Sequence, residues 1–248
     1  VGSNQMIAIW GSPGSGKTVI SMKLARILAS KQKTVALVLC DLLCPMLPVL
    51  FPTIDPKEKS LGILLTKADM NQEAILSNLI LPNDREFIGV LGYKKGENST
   101  SYPNYTVEKA ADLFLLLRHK VDYVIVDCTS QLSGDDLSTV ALRDADQVLR
   151  SGTADLKGLS FFDAQLPVLS MNKAFRAERH LKALSGFKSY SPKKEVAEAY
   201  GNIDFFLSFA EEIERQWLEG RLLDPLKTSE GKSLVRELKR FALEVFDE

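Results

Sequence analysis

The apolar run QMIAIW at 5–10 breaks into GSPGSGKT at 11–18, and an amphipathic stretch over 17–30 follows at once. Glycines at 11, 14 and 16 and a proline at 13 suit neither a strand interior nor a helix interior. The segment reads as a tight turn from a strand end into a helix start. A chain that begins this way is committed to right-handed crossovers, and so to a parallel sheet covered by helices.

The rest of the chain repeats the alternation. Strand-length apolar bursts stand at 34–40, 86–92, 122–127, 146–151, 166–171 and 203–208, with helical patterns over 71–81, 107–120, 157–165, 173–185, 194–200 and 211–220. Several bursts are apolar on both faces, as strands buried between two helical layers must be. The expectation is an α/β three-layer sandwich with a mostly parallel sheet of about seven strands. At 248 residues, 45% hydrophobic and 25% charged, the chain has material for one core, and a single domain over 1–248 is expected.

In such sheets the chemistry gathers where strand C-termini meet the following loops. The first of these loops fits G-x-x-x-x-G-K-[ST], with Gly11, Gly16, Lys17 and Thr18 in the fixed places. Glycines let main-chain amides converge on an anion, and the helix start adds partial positive charge. Lys17 would reach the β- and γ-phosphates of a nucleoside triphosphate, and the Thr18 hydroxyl would ligate Mg²⁺. The expected contact set is Gly11, Ser12, Pro13, Gly14, Ser15, Gly16, Lys17, Thr18 and Val19. The burst DYVIVD ends in Asp127, placed to share the metal with Thr18; an Asp at a strand end also serves as an ordinary helix cap.

Other features narrow the setting. The 31 basic and 32 acidic side chains give no global field toward nucleic acid or an anionic membrane. Cys40, Cys44 and Cys128 are too few for a disulfide framework and read as small reduced thiols, which points to a cytoplasmic chain. Neither His119 nor His180 is placed to complete a metal site with them. The start VGSNQMIAIW lacks the pattern of a secretory signal. The run at 35–54 has the length of a membrane span but contains Asp41 and prolines at 45, 48 and 52, so a strand and a kinked apolar loop are expected. Residues 93–105 read as a surface loop. In the last helical stretch Leu234, Leu238, Phe241 and Val245, with Val235, Ala242 and Phe246, share one side and should close the core rather than lie on a membrane.

Taken together, the chain resembles the ParA/MinD group of P-loop ATPases from the phosphate loop nearly to its C-terminus. KTVALVLCD is similar to that family's second strand, SLGILLTKADMNQEAI to its G-x-x-x-L-L-x-G-K segment, DYVIVDCTSQLSGDDLSTVALRDADQVL to its Walker B strand and second switch, and FAEEIERQWLEGRLL to its late helix. The resemblance implies ATP and Mg²⁺ as cofactors, with Lys17, Asp41 and Asp127 in the catalytic set and Asp41 orienting the attacking water. It also implies an adenine contact from Asn172, taken to follow the sixth strand. Members usually carry a lysine second in the loop that crosses a dimer to the partner's nucleotide; here that place holds Ser12, followed by Pro13, while Leu39 and the CTS after Asp127 also depart from the pattern.

These departures imply a slowly hydrolysing molecular switch, a weak ATPase at most. It would act through a nucleotide-dependent homodimer that recruits or positions an unidentified protein partner, in machinery of the pilus, secretion or conjugation type. A Ser12→Lys exchange would then be expected to raise turnover. The alternative is a DNA-segregation ATPase contacting DNA through Lys188, Lys193 and Lys194. A bacterial tyrosine kinase domain falls behind both, because no tyrosine follows Tyr200.

Overall fold

The computed structural model describes residues 4–82, 85–171 and 175–246. Strands β1 (Gln5–Gly11), β2 (Val35–Leu39), β3 (Ile88–Leu91), β4 (Tyr123–Asp127), β5 (Gln147–Thr153), β6 (His180–Phe187) and β7 (Phe205–Ser208) form one sheet in the order β3-β2-β4-β1-β5-β6-β7. Every pairing between them is parallel. The connecting helices are α1 (Lys17–Ala29), α2 (Leu47–Leu50), α3 (Leu61–Thr66), α4 (Gln72–Asn78), α5 (Val107–Arg118), α6 (Asp136–Asp144), α7 (Leu156–Ser170), α8 (Lys193–Tyr200), α9 (Glu211–Leu218) and α10 (Ser229–Phe246). The expected sandwich and strand number are therefore present.

Alternation along β1 builds the two helical layers. Ile7 and Ile9 face a core shared with α1, α2 and α10, whereas Met6, Ala8 and Trp10 face one shared with α3 to α7. In α10, Leu234, Leu238, Phe241, Ala242 and Phe246 are buried in the first core, so this helix does close the domain face as its stripe predicts. None of the described helices is long and apolar enough to cross a membrane. Lys23 of α1 is buried and donates to Gln216 Oε1, to Leu222 O at 2.6 Å and to Asp224 O at 2.9 Å, which ties α1 to α9 and the turn after it. Burial lowers its pKa to about 8, the neighbouring Arg26 acting in the same direction.

One strand was misplaced by its composition. The burst LPVLSM at 166–171 is not a strand: it forms the end of α7, a helix started by Asp155, whose Oδ1 accepts from Gly158 N at 2.8 Å. Phe162 and Leu169, two helical turns apart, supply the buried stripe, and an apolar run of this length is ambiguous between the two periods. The sixth strand is instead 180–187, which overlaps the second half of the stretch 173–185 expected to be helical. Its basic members His180 and Lys182 hide a period of two in which Leu181 and Ala183 face the first core and Leu184, on the opposite face, packs in a smaller cluster with Ala154 and Val196. Asn172 lies outside the described residues, and the strand it was taken to follow is helix. The expected kinked loop after β2 contains the short helix α2, opened by Pro48 in its first turn.

Candidate functional site

Because the strand order reverses around β1, the chain leaves the C-termini of β1 and β4 in opposite directions and opens a crevice there. Asp127 stands in register with Ile9 of β1 on one side and Leu39 of β2 on the other, so the loops after β1, β2 and β4 converge on one edge. The resulting cleft has a volume of about 1090 Å³.

The first loop is shaped by its glycines. A Cβ on Gly11 would fall 1.8 Å from Ser151 O, so the loop leaves β1 pressed against the β5 main chain. Gly14 and Gly16 hold left-handed φ values of 77° and 73°. Gly16 is the N-cap of α1 and offers no side-chain cap, and the first turn carries no acidic residue. The leading amides of a 13-residue helix are thus left to an outside acceptor, with the helix dipole behind them. The loop is anchored from below: Ser15 O accepts from Ser151 Oγ at 2.8 Å and from Ser185 Oγ, and Ser15 N donates to Ser12 O at 3.1 Å. Ser15 Oγ is buried without a partner.

Four side chains, of Lys17, Thr18, Ser21 and Asp127, form the polar heart of the site. Thr18 Oγ1 donates to Asp127 Oδ2 at 2.7 Å, and Ser21 Oγ, which donates to Lys17 O at 2.9 Å, lies 3.4 Å from Asp127 Oδ1. Burial raises the Asp127 pKa to about 6, against the pull of the Thr18 hydroxyl and the Lys17 charge. A buried carboxylate and an aliphatic hydroxyl one hydrogen bond apart are hard oxygen donors of the kind Mg²⁺ takes, so these residues fit the ion. Lys17 Nζ donates to Ser130 Oγ at 2.7 Å and to Ser12 O at 3.3 Å; burial lowers its pKa, while Asp127 opposes the shift.

Of the expected contact set, Pro13, Gly14, Gly16, Lys17, Thr18 and Val19 line the cleft together with Asp41 and Asp127, whereas Gly11, Ser12 and Ser15 lie beneath it. Asp41 is held by a turn in which its Oδ1 accepts from Cys44 N at 2.8 Å. Ser12 is fully buried, donates its N–H to Ser151 O at 3.1 Å and accepts at Oγ from Thr153 N at 3.3 Å. The second loop position therefore points into β5, and a lysine placed there would have to leave this socket before it could reach another molecule. The thiols of Cys40 and Cys128 are buried and pushed well above their ordinary range by desolvation, while Cys44 is exposed. No metal-binding cluster of His, Cys, Asp or Glu occurs among the described residues.

Sequence reasoning noted the CTS after Asp127 but gave no role in the cleft to Thr129 or Ser130, which help complete it. Ser130 joins two elements: its Oγ accepts from Lys17, and its carbonyl accepts from Trp10 Nε1 at 3.2 Å. Trp10 in turn packs against Phe161 and Phe162 of α7, with centroids 5.4 and 5.7 Å apart. Thr129 Oγ1 donates to Asp135 Oδ2 at 2.8 Å, and Thr129 N donates to Ser138 Oγ at 2.9 Å. A serine in a polar loop carries no signal of its own; only the fold reveals that it meets Lys17. Were the cleft to hold a nucleoside triphosphate, Ser130→Ala would be expected to tighten its binding about fivefold, because the hydroxyl stabilises Lys17 in the free cleft and phosphate oxygens would take over that role. Calorimetric titration checks this, and weakened binding would assign Ser130 to the nucleotide instead.

No protein-family model matches the chain, and no curated protein matches it in sequence. Solved structures do share its fold. A septum site-determining protein MinD from Pyrococcus horikoshii, complexed with Mg-ADP, superposes with a TM-score of 0.74 at 16% identity, covering 96% of this chain and 95% of its own. A ParA family ATPase from Chlorobium tepidum gives 0.77 at 16% identity, with 97% and 99% covered. A plasmid partition protein from Borrelia burgdorferi bound to AMPPNP gives 0.76 at 19% identity, with 97% and 98% covered.

Proposed function

We propose that the protein is a Mg·ATP-binding switch of the ParA/MinD type that hydrolyses ATP slowly and recruits or positions a protein partner. The reading rests on the shared fold, and above all on the Thr18–Asp127 pair set beside an uncapped α1 N-terminus. Thr18 and Asp127 would hold Mg²⁺, which when bound neutralises phosphate charge; the loop amides and Lys17 would hold the phosphates. Asp41, which lines the same cleft, would orient a water.

Slow turnover follows from the charges. Among the described residues that line the cleft, Lys17 is the one basic side chain, against Asp41, Asp127, Asp135 and Asp136. Phosphoryl transfer needs added positive charge as the transition state forms, and the buried Ser12 supplies none from across a dimer. The DNA-segregation reading stands as the alternative: Lys188 lies over the Phe209 ring and Lys193 over those of Phe187 and Phe206, and both, like Lys194, are exposed with their charges open to a polyanion. Measuring solution mass with and without Mg·ATP, alongside phosphate release, tests the proposal. The expected result is a nucleotide-dependent dimer with turnover below about 1 s⁻¹, the low end of the range typical of enzymes. A monomer under both conditions, or brisk hydrolysis, would overturn it.

A further inference from the structure

Away from the cleft, β5 and β6 place three basic side chains on the face covered by α7 and α8. Val148 belongs to the core of Met6, Ala8 and Trp10, and Leu184 packs with Val196 of α8, so even-numbered residues of both strands share this face. Arg150 stands in register between Trp10 of β1 and Lys182 of β6, and His180 is opposite Val148.

Two of the three leave a buried nitrogen without a partner. Lys182 Nζ is satisfied by Gly201 O at 2.7 Å and Tyr200 O at 3.2 Å, the carbonyls at the end of α8. The nearby carboxylate, Asp204, accepts at Oδ2 from Lys182 N at 2.7 Å and attracts the Arg150 charge without accepting a hydrogen bond from it. Among the described residues nothing accepts from the Arg150 guanidinium, whose Nε is buried. His180 is 8% exposed, with Phe175 set edge-on to its ring at 4.9 Å between centroids, and its Nδ1 is buried without a partner. Arginine cannot shed its charge, so a half-buried guanidinium whose Nε–H is shut away from water without an acceptor is costly unless an anion meets it. Burial and the adjacent Arg150 hold His180 down to about 4, so at neutral pH it is an uncharged ring able to carry its proton on Nδ1 and donate it.

We propose that Arg150 and His180 form a binding site for a small oxyanion, phosphate or carboxylate, gripped by the guanidinium fork and completed by the imidazole. None of these residues lines the nucleotide cleft, so the site stands independently of the ATP-binding reading.

Thermal unfolding at constant ionic strength, in chloride, phosphate, sulfate or acetate, tests it on wild type, Arg150→Met and Lys17→Ala. Wild type should melt higher in the recognised oxyanion than in chloride, as linkage requires. Phosphate and sulfate acting without acetate identifies a tetrahedral ligand, and acetate acting alone identifies a carboxylate. Arg150→Met should lose the response and, freed of an unpaired charge, melt above wild type in chloride, whereas Lys17→Ala should keep the response. A response abolished by Lys17→Ala but kept by Arg150→Met belongs to the Gly11–Thr18 loop and overturns the proposal, as does no response in wild type. Should Arg150→Met not fold, phosphate titration of wild type followed by imidazole nitrogen NMR decides. Movement of the His180 Nδ1 signal with His119 unchanged supports the site, and a still His180 signal refutes it.

Discussion

Lys17→Ala is expected to weaken ATP binding by about a hundredfold or more while leaving the fold intact. The magnitude follows from where the ammonium sits. Lys17 is half-buried at the head of α1 and is the one basic group among the described residues lining a cleft with four aspartates, so nothing there can replace its charge beside a triphosphate. A charge-assisted hydrogen bond in such a medium contributes about 3 kcal/mol, which corresponds to roughly two decades in Kd. Stability should change little, since the partners Lys17 gives up are one hydroxyl, Ser130 Oγ, and one carbonyl, Ser12 O. Calorimetry on the variant, with denaturant unfolding as the folding control, checks both halves. Unchanged affinity in a folded variant would remove the basis for nucleotide binding at this loop.

How much of this was legible in the sequence depended on whether the signal was local. The loop at 11–18 could be read because its function imposes backbone geometry, and backbone geometry selects glycine at fixed spacing. Strands β1, β2 and β4 were legible because both of their faces are buried and all but their terminal residues Gln5 and Asp127 show it in composition. The exchange between α7 and β6 was not. The end of α7 is apolar on its exposed side as well, where Val168 and Met171 are 59% and 82% exposed, and β6 carries His180 and Lys182 where a strand of this sheet would ordinarily be apolar. Composition pointed the wrong way in both places because the solvent-facing and core-facing rules were broken together. Ser130 was illegible for a different reason: its importance lies in a contact 113 residues away in the chain, which no periodicity can report. The burial of Ser12 also changes the sense of the missing lysine. The loop does not merely lack a cation there; Thr153 N and Ser151 O already occupy the second position's polar groups.

Gly11→Ala is the substitution expected to damage the protein most, and its contrast with Gly14→Ala isolates why. At Gly11 the added methyl would sit 1.8 Å from Ser151 O, 2.7 Å from its carbonyl carbon and 2.9 Å from its nitrogen, all main-chain atoms of β5 that pair with β1. No rotamer relieves a clash between a Cβ and a backbone, so β1 and β5 must separate where they carry the loop. We expect a loss of about 4 kcal/mol or more, the range of the most damaging single substitutions. At Gly14 nothing lies within 4 Å of the added atom, and the cost there is the left-handed backbone alone, about 1–2 kcal/mol. Urea unfolding of the two variants should therefore differ by at least about 2 kcal/mol. If Gly11→Ala folds at all, the shift of Ser12 and Ser15 away from Ser151 should cost it ATP binding as well, because the amides that face the cleft are positioned by those contacts. Equal stability of the two variants would mean that β5 does not brace the loop, and that the anion cradle is held by α1 alone.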